Sequence, residues 1–228
     1  MREALVVMAK APRVGEVKTR LIGSLTAEET TQLHIAFLSD TFVLMEEVME
    51  ERDEVSLVLC YMPEGEEEAF EEVEREGSMM FAQRGDDLGE RLRNCFADLF
   101  TMRFESVVVI GADSPTLPGE LIYDAFDSLE NENDVILGPA TDGGYYLIGM
   151  RRLHPRLFEA VPWGTSEVMA VTEARAGEAG VNLIVMPEWY DVDTPAELEK
   201  LREDLRQTRE SAPFTRRFLN ELAKKQSD

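Results

Sequence analysis

The chain has 228 residues, 44% of them hydrophobic and 30% charged, with 46 acidic side chains against 23 basic ones and a net charge of −23. That length and aliphatic content describe a globular α/β protein with a sizeable core, not a disordered chain. The acidity argues against a nucleic-acid or anionic-membrane surface, because counterion release needs a basic face.

The elements can be read in chain order. Leu5 to Met8 is a buried strand, and it leads into AKAPRVGEVKTRL, a loop that gathers Lys10, Arg13, Lys18 and Arg20. A cation-rich loop leaving a first strand ahead of a helix has the ingredients of a phosphate cradle; a solvated basic turn is the competing account. Thr26 and Glu29 spell a capping box for a helix running to about Glu50, with Leu33, Phe37, Leu44 and Val48 inward. Val55 to Tyr61 is a second strand, Glu66 to Glu76 an acidic helix, and Ser78 to Gln83 a short third strand. The loop RGDDLGER opens a helix from about Leu88 to Thr101, followed by the aliphatic strand Val107 to Ile110. Beyond it come a helix from Gly119 to Leu129, strands at Val135 to Leu137 and Tyr145 to Met150, a helix from Ser166 to Ala179 and a strand from Asn182 to Met186. Thr194, Pro195 and Glu197 then spell a second capping box.

Continuous aliphatic strands alternating with amphipathic helices predict a mostly parallel sheet covered on both faces, with ligands at the carboxyl ends of the strands. A single domain over 1–228 is expected, with 206–228 a peripheral helical tail. The two cysteines, Cys60 and Cys95, form neither a CxxC pair nor a disulfide framework. Together with the lack of an apolar run of roughly 20 residues, this predicts a cytoplasmic protein.

Three loops could carry chemistry. In GADSPTLP, residues 111–118, Asp113 stands at a strand end on a stiff turn, a placement that suits Mg²⁺, although a turn Asp can simply cap its own backbone. Asp193 in DVDTP is the partner carboxylate, with Asp191 as a supporting or substitute ligand. In GPATDGGYYLIG, residues 138–149, Gly143 and Gly144 beside Asp142 allow close backbone approach to a ligand, and a hairpin turn explains the same residues. Trp163 could wall an acceptor pocket or pack in the core. Walker A, GxGxxG and GxSxG patterns are missing, and His34 and His154 read as structural, which disfavours zinc.

Taken in order, AKAPRVGEVKTRL, QRGDDLGER, GADSPTLP, GPATDGGYYLIG, the Trp163 turn and DVDTP resemble the bacterial glycosyltransferase-like family of the nucleotide-diphospho-sugar transferase superfamily, over residues 4–205. That family is similar to phospholactate guanylyltransferase and to molybdenum-cofactor nucleotidyltransferases. The resemblance implies a Rossmann-like three-layer αβα sandwich of glycosyltransferase-A type and a metal-dependent reaction on an activated nucleotide. It puts Ala9, Lys10, Lys18 and Arg20 on the nucleotide phosphates and Gln83 to Asp87 near base or ribose. Asp113 and Asp193 fall on Mg or Mn, and Asp142, Gly143, Gly144 and Trp163 on the acceptor.

The leading expectation is glycosyl transfer from a nucleotide-diphosphate sugar to a small-molecule acceptor, with Lys18, Asp113 and Asp142 catalytic. Nucleotidyl transfer from an NTP to a phosphorylated small molecule is the alternative, and a nucleotide-binding module without turnover a third. Neither nucleic acid nor membrane is an expected partner; a homodimer is left open.

Overall fold

A computed structural model describes residues 2–73, 77–208 and 211–225. Seven strands, β1 (Glu3–Lys10), β2 (Val55–Met62), β3 (Met79–Ala82), β4 (Ser106–Gly111), β5 (Asp134–Pro139), β6 (Tyr145–Met150) and β7 (Asn182–Val185), form one sheet in the order β3-β2-β1-β4-β6-β5-β7. Neighbours pair parallel except that β6 runs antiparallel to β4 and β5. The α-helices among the described residues are α1 (Ala27–Glu51), α2 (Leu88–Thr101), α3 (Gly119–Ser128), α4 (Val168–Ala179), α5 (Pro195–Gln207) and α6 (Pro213–Lys225).

The aliphatic strands are apolar throughout because both faces are covered. Leu5 and Val7 of β1 join one core with Phe42 and Met45 of α1 and Ile122 and Phe126 of α3. Their neighbours Ala4 and Val6 join a second core with Phe96 and Leu99 of α2 and Ala176 of α4. Alternate residues of one strand therefore feed two cores, giving the three-layer αβα sandwich. Cys60 and Cys95 are free and buried in the second core.

The reversal of β6 comes from the Asp-Gly turn. Ala140 N–H donates to Gly144 O at 3.0 Å, and Gly143 takes φ +92°, closing a hairpin that inserts β6 between β4 and β5. Both capping boxes form: Thr26 Oγ1 accepts from Glu29 N–H and Glu29 Oε2 from Thr26 N–H, and Thr194 and Glu197 repeat the exchange at α5.

Two predicted elements differ. The acidic helix expected over Glu66 to Glu76 is, among the described residues, a single 3₁₀ turn at Glu67–Phe70 followed by a turn to Val73; residues 74–76 lie outside the described part. Phe70 and Val73 are buried, so one apolar turn docks, while the crowded glutamates repel one another and weaken a longer helix. The segment 206–228 contributes α6, which shares a third core with α1 and α5 through Leu219, Leu222, Phe37 and Leu201. Asp40, buried on α1, accepts from the N–H groups of Phe214 and Thr215 at 2.8 Å each and so anchors the start of α6. Asp40→Ala is expected to cost about 1–2 kcal/mol, read as a lower urea midpoint at unchanged slope. An unmoved midpoint would argue against this anchor.

Candidate functional site

The carboxyl ends of β1 and β4 border a cleft of ≈ 410 Å³ that Ala9, Lys10, Lys18, Arg20, Gln83, Asp113 and Asp193 all line. These seven expected residues therefore meet in one place although they span most of the chain. The loop after β1 is shaped by Gly15 at φ +79° and by Lys18 itself, a non-glycine residue in the left-handed region at φ 48°, ψ 39°. That conformation costs roughly 1–2 kcal/mol, and the side chain's contacts offset it.

Those contacts are the centre of the site. The Lys18 side chain is only 3% exposed, and its ammonium lies 2.5 Å from Asp113 Oδ1, 3.0 Å from Asp193 Oδ1 and 2.9 Å from the carbonyl oxygen of Val192. An ammonium has three N–H donors, and all three are engaged here. The ammonium also lies over the Phe37 ring, with Nζ 5.3 Å from the centroid. Burial alone would lower the Lys18 pKa, but the fields of Asp113 and Asp193 outweigh it and raise it. Burial likewise works against the Asp113 carboxylate, yet Lys18, with His34 and Lys10 behind it, holds that carboxyl below its ordinary value.

The two carboxylates belong to separate segments that are stitched together. Val192 N–H donates to the Asp113 carbonyl at 2.9 Å, and the Ser114 hydroxyl donates to Asp191. Burial first, and the nearby Asp113 second, push the Asp191 carboxyl up to about 7 against the help of Ser114 and Lys18. Asp191 thus faces Ser114, while Asp113 and Asp193 face the shared cation position. Among the described residues no three His, Cys, Asp or Glu side chains surround one point. The oxygens around Lys18 Nζ are two carboxylates and a peptide carbonyl, hard donors of the kind that Mg²⁺ or Mn²⁺ takes.

Gln83 donates its amide hydrogens to Ala9 O at 3.3 Å and Cys60 O at 2.8 Å, tying the ends of β1 and β2. Asp87 is not in the cleft wall; it caps α2 by accepting from Glu90 N–H at 2.8 Å. Arg13 is neutralised by a two-pronged pair with Glu66, whereas Lys10 and Arg20 form no ion pair among the described residues. The exposed Asp142 and the half-buried Gly143 and Gly144 form the hairpin tip, with Asp142 Oδ1 accepting from Gly144 N–H at 2.9 Å. The negative charge of Asp142 adds a last, small push to the Asp191 carboxyl, and neither residue lines the cleft.

Trp163 packs its indole on Gly89 at the start of α2 and meets Tyr145 edge-on, ring centroids 6.1 Å apart. A Cβ at position 89 would lie 2.6–2.8 Å from the indole ring. Gly89→Ala should therefore expel Trp163, seen as a red-shifted emission in a Trp189→Phe background; unchanged emission would mean that the ring has room to spare.

Arg91, His34 and Leu88 line the cleft and were not expected there. Arg91 is the last residue of the RGDDLGER motif, so a signal existed. His34 is buried on α1 with Nε2–H donating to Lys10 O at 2.9 Å, a position only the fold reveals.

Sheet, hairpin and cleft together define a protein of the nucleotide-diphospho-sugar transferase fold. The chain belongs to the family described as an uncharacterized protein conserved in bacteria, DUF2064, whose model matches residues 45–165. A crystal structure from Desulfovibrio desulfuricans G20, provisionally described as a nucleotide-diphospho-sugar transferase, is 32% identical, with 97% of this chain and 95% of that one covered at a TM-score of 0.86. Two further structures share the fold: a cytidylyltransferase from Leptospira borgpetersenii (16% identity, 100% and 96% covered, TM-score 0.54) and a CMP:2-keto-3-deoxy-manno-octonic acid synthetase complexed with CTP (14%, 91% and 99%, 0.54). No curated protein matches the chain. No helix among the described residues is long and apolar enough to cross a membrane.

Proposed function

We propose that the cleft binds a nucleotide-diphosphate sugar with Mg²⁺ or Mn²⁺ and transfers its glycosyl group to a small-molecule acceptor. The observation that carries this reading is the convergence of Asp113 and Asp193 on one cation position in a cleft that Lys10 and Arg20 also line. The carboxylates of Asp113 and Asp193 would hold the divalent ion, which would supply positive charge beside the diphosphate. Lys10 and Arg20 add donors for the phosphate oxygens. As the bond between the sugar carbon and the phosphate oxygen breaks, its electron pair stays on the departing nucleotide, where Lys10 and Arg20 stabilise the charge. The acceptor hydroxyl forms the new carbon–oxygen bond, and Asp142 at the hairpin tip orients it and takes its proton. Trp163 walls the acceptor side.

The test is to incubate the protein with NDP-sugars and NTPs, Mg²⁺ or Mn²⁺, and a panel of small hydroxylated and phosphorylated acceptors. Free NDP with a glycosylated product supports the reading. Pyrophosphate release would replace it with nucleotidyl transfer, and metal-dependent binding without product would leave a binding module.

A further inference from the structure

We infer that Lys18 is a tethered stand-in cation: its ammonium neutralises Asp113 and Asp193 until a divalent ion displaces it, and the freed ammonium then serves the anionic ligand. This rests on the metal position proposed above and adds a step to it. The three oxygens around Nζ lie 2.5–3.0 Å away, which is hydrogen-bond spacing. Mg²⁺ holds oxygens at about 2.0–2.1 Å, so an ion among these oxygens and an ammonium among them exclude each other. With its three hydrogens occupied, Lys18 has no donor left for a phosphate while it sits there. The expected phosphate role and the observed position are thus two states of one side chain.

Charge gives the exchange a direction. With Lys18 in place, two carboxylates face one ammonium and the position keeps one unit of negative charge, which repels a diphosphate. With a divalent ion in place and Lys18 released alongside, the same groups carry one unit of positive charge. Metal entry therefore raises the charge of this cluster by two units and delivers a donor at once. Lys18 lines the cleft beside Lys10 and Arg20, so the released side chain has the cavity itself to move into.

The probe is Mn²⁺ alone, without nucleotide, followed by the paramagnetic resonance of the free ion. Lys18→Met removes the competitor while leaving the oxygens, and should bind Mn²⁺ roughly tenfold tighter than the wild type. Adding Asp113→Asn to Lys18→Met should abolish that gain. Equal or weaker binding by Lys18→Met, with Mn²⁺ still dependent on Asp113, overturns the inference and leaves the metal position standing. Mn²⁺ binding indifferent to Asp113, or none in any variant, overturns both. A second measurement uses the unaltered protein, so it does not depend on the variant folding. Acetic anhydride labelling of Lys18, read by peptide mass spectrometry, should rise several-fold on saturation with Mg²⁺. Labelling that stays flat or falls while Mg²⁺ binds refutes the displacement.

Discussion

Asp113→Ala is expected to weaken Mg²⁺-dependent binding of a nucleoside diphosphate by roughly a hundredfold, about 3 kcal/mol. The side chain is 41% exposed and sits on the loop leaving β4, so its removal opens no core cavity and the fold should survive. What is lost is one of the two carboxylates that define the cation position, leaving Asp193 with a single peptide carbonyl beside it. Calorimetric titration with and without Mg²⁺ separates the effects. Binding without metal should hold or improve, because one negative charge has gone and Lys18 has lost its shortest contact, while the gain from Mg²⁺ should vanish. A variant that retains the full metal-dependent gain would place the ion elsewhere.

Gly143→Ala should destabilise the protein more than any other single-methyl change in the hairpin turn between β5 and β6. Its φ of +92° lies where a Cβ costs about 1–2 kcal/mol. The added Cβ would also fall 2.3 Å from Ser166 O and 2.6 Å from Ser166 Cα, which are backbone atoms and cannot rotate away. Gly143 O further accepts from Met169 N–H at 2.9 Å, so moving the turn strains the start of α4. The combined cost is about 3–5 kcal/mol, a fall in Tm on the order of 10 °C. A calorimetric scan with little change would mean that the Ser166 segment yields easily. Gly144, whose Cβ would meet only the Asp142 carboxylate at 3.2 Å, should be the more tolerant neighbour.

These contrasts show where local signals suffice. Capping boxes are written within four residues, so Thr26–Glu29 and Thr194–Glu197 could be read directly, and aliphatic runs such as Val107 to Ile110 announced strands buried on both faces. The Asp-Gly turn announced a hairpin, but not that β6 would pair with β4 as well as β5, since sheet order is decided by long-range packing. The acidic stretch after Gly65 had helical spacing, yet among its described residues Phe70 and Val73 are the ones fully buried in a core. For the site, residue types at strand ends were legible, and Ala9, Lys10, Lys18, Arg20, Gln83, Asp113 and Asp193 line one cleft. Their connections were not. Nothing in AKAPRVGEVKTRL states that Lys18 would be buried against two carboxylates contributed by residues far along the chain, or that Arg13 would be neutralised by Glu66.

The peptide hydrogen bond from Val192 to Asp113 has a consequence for the energetics of ligand capture. It fixes the span between the loop after β4 and the segment entering α5, whose first turn is itself held by Glu197 on the N–H groups of Asp193 and Thr194. The conformational entropy of bringing Asp113 and Asp193 together is therefore lost when the chain folds and not again at each encounter, so an arriving ligand has side chains to order but no loops to assemble.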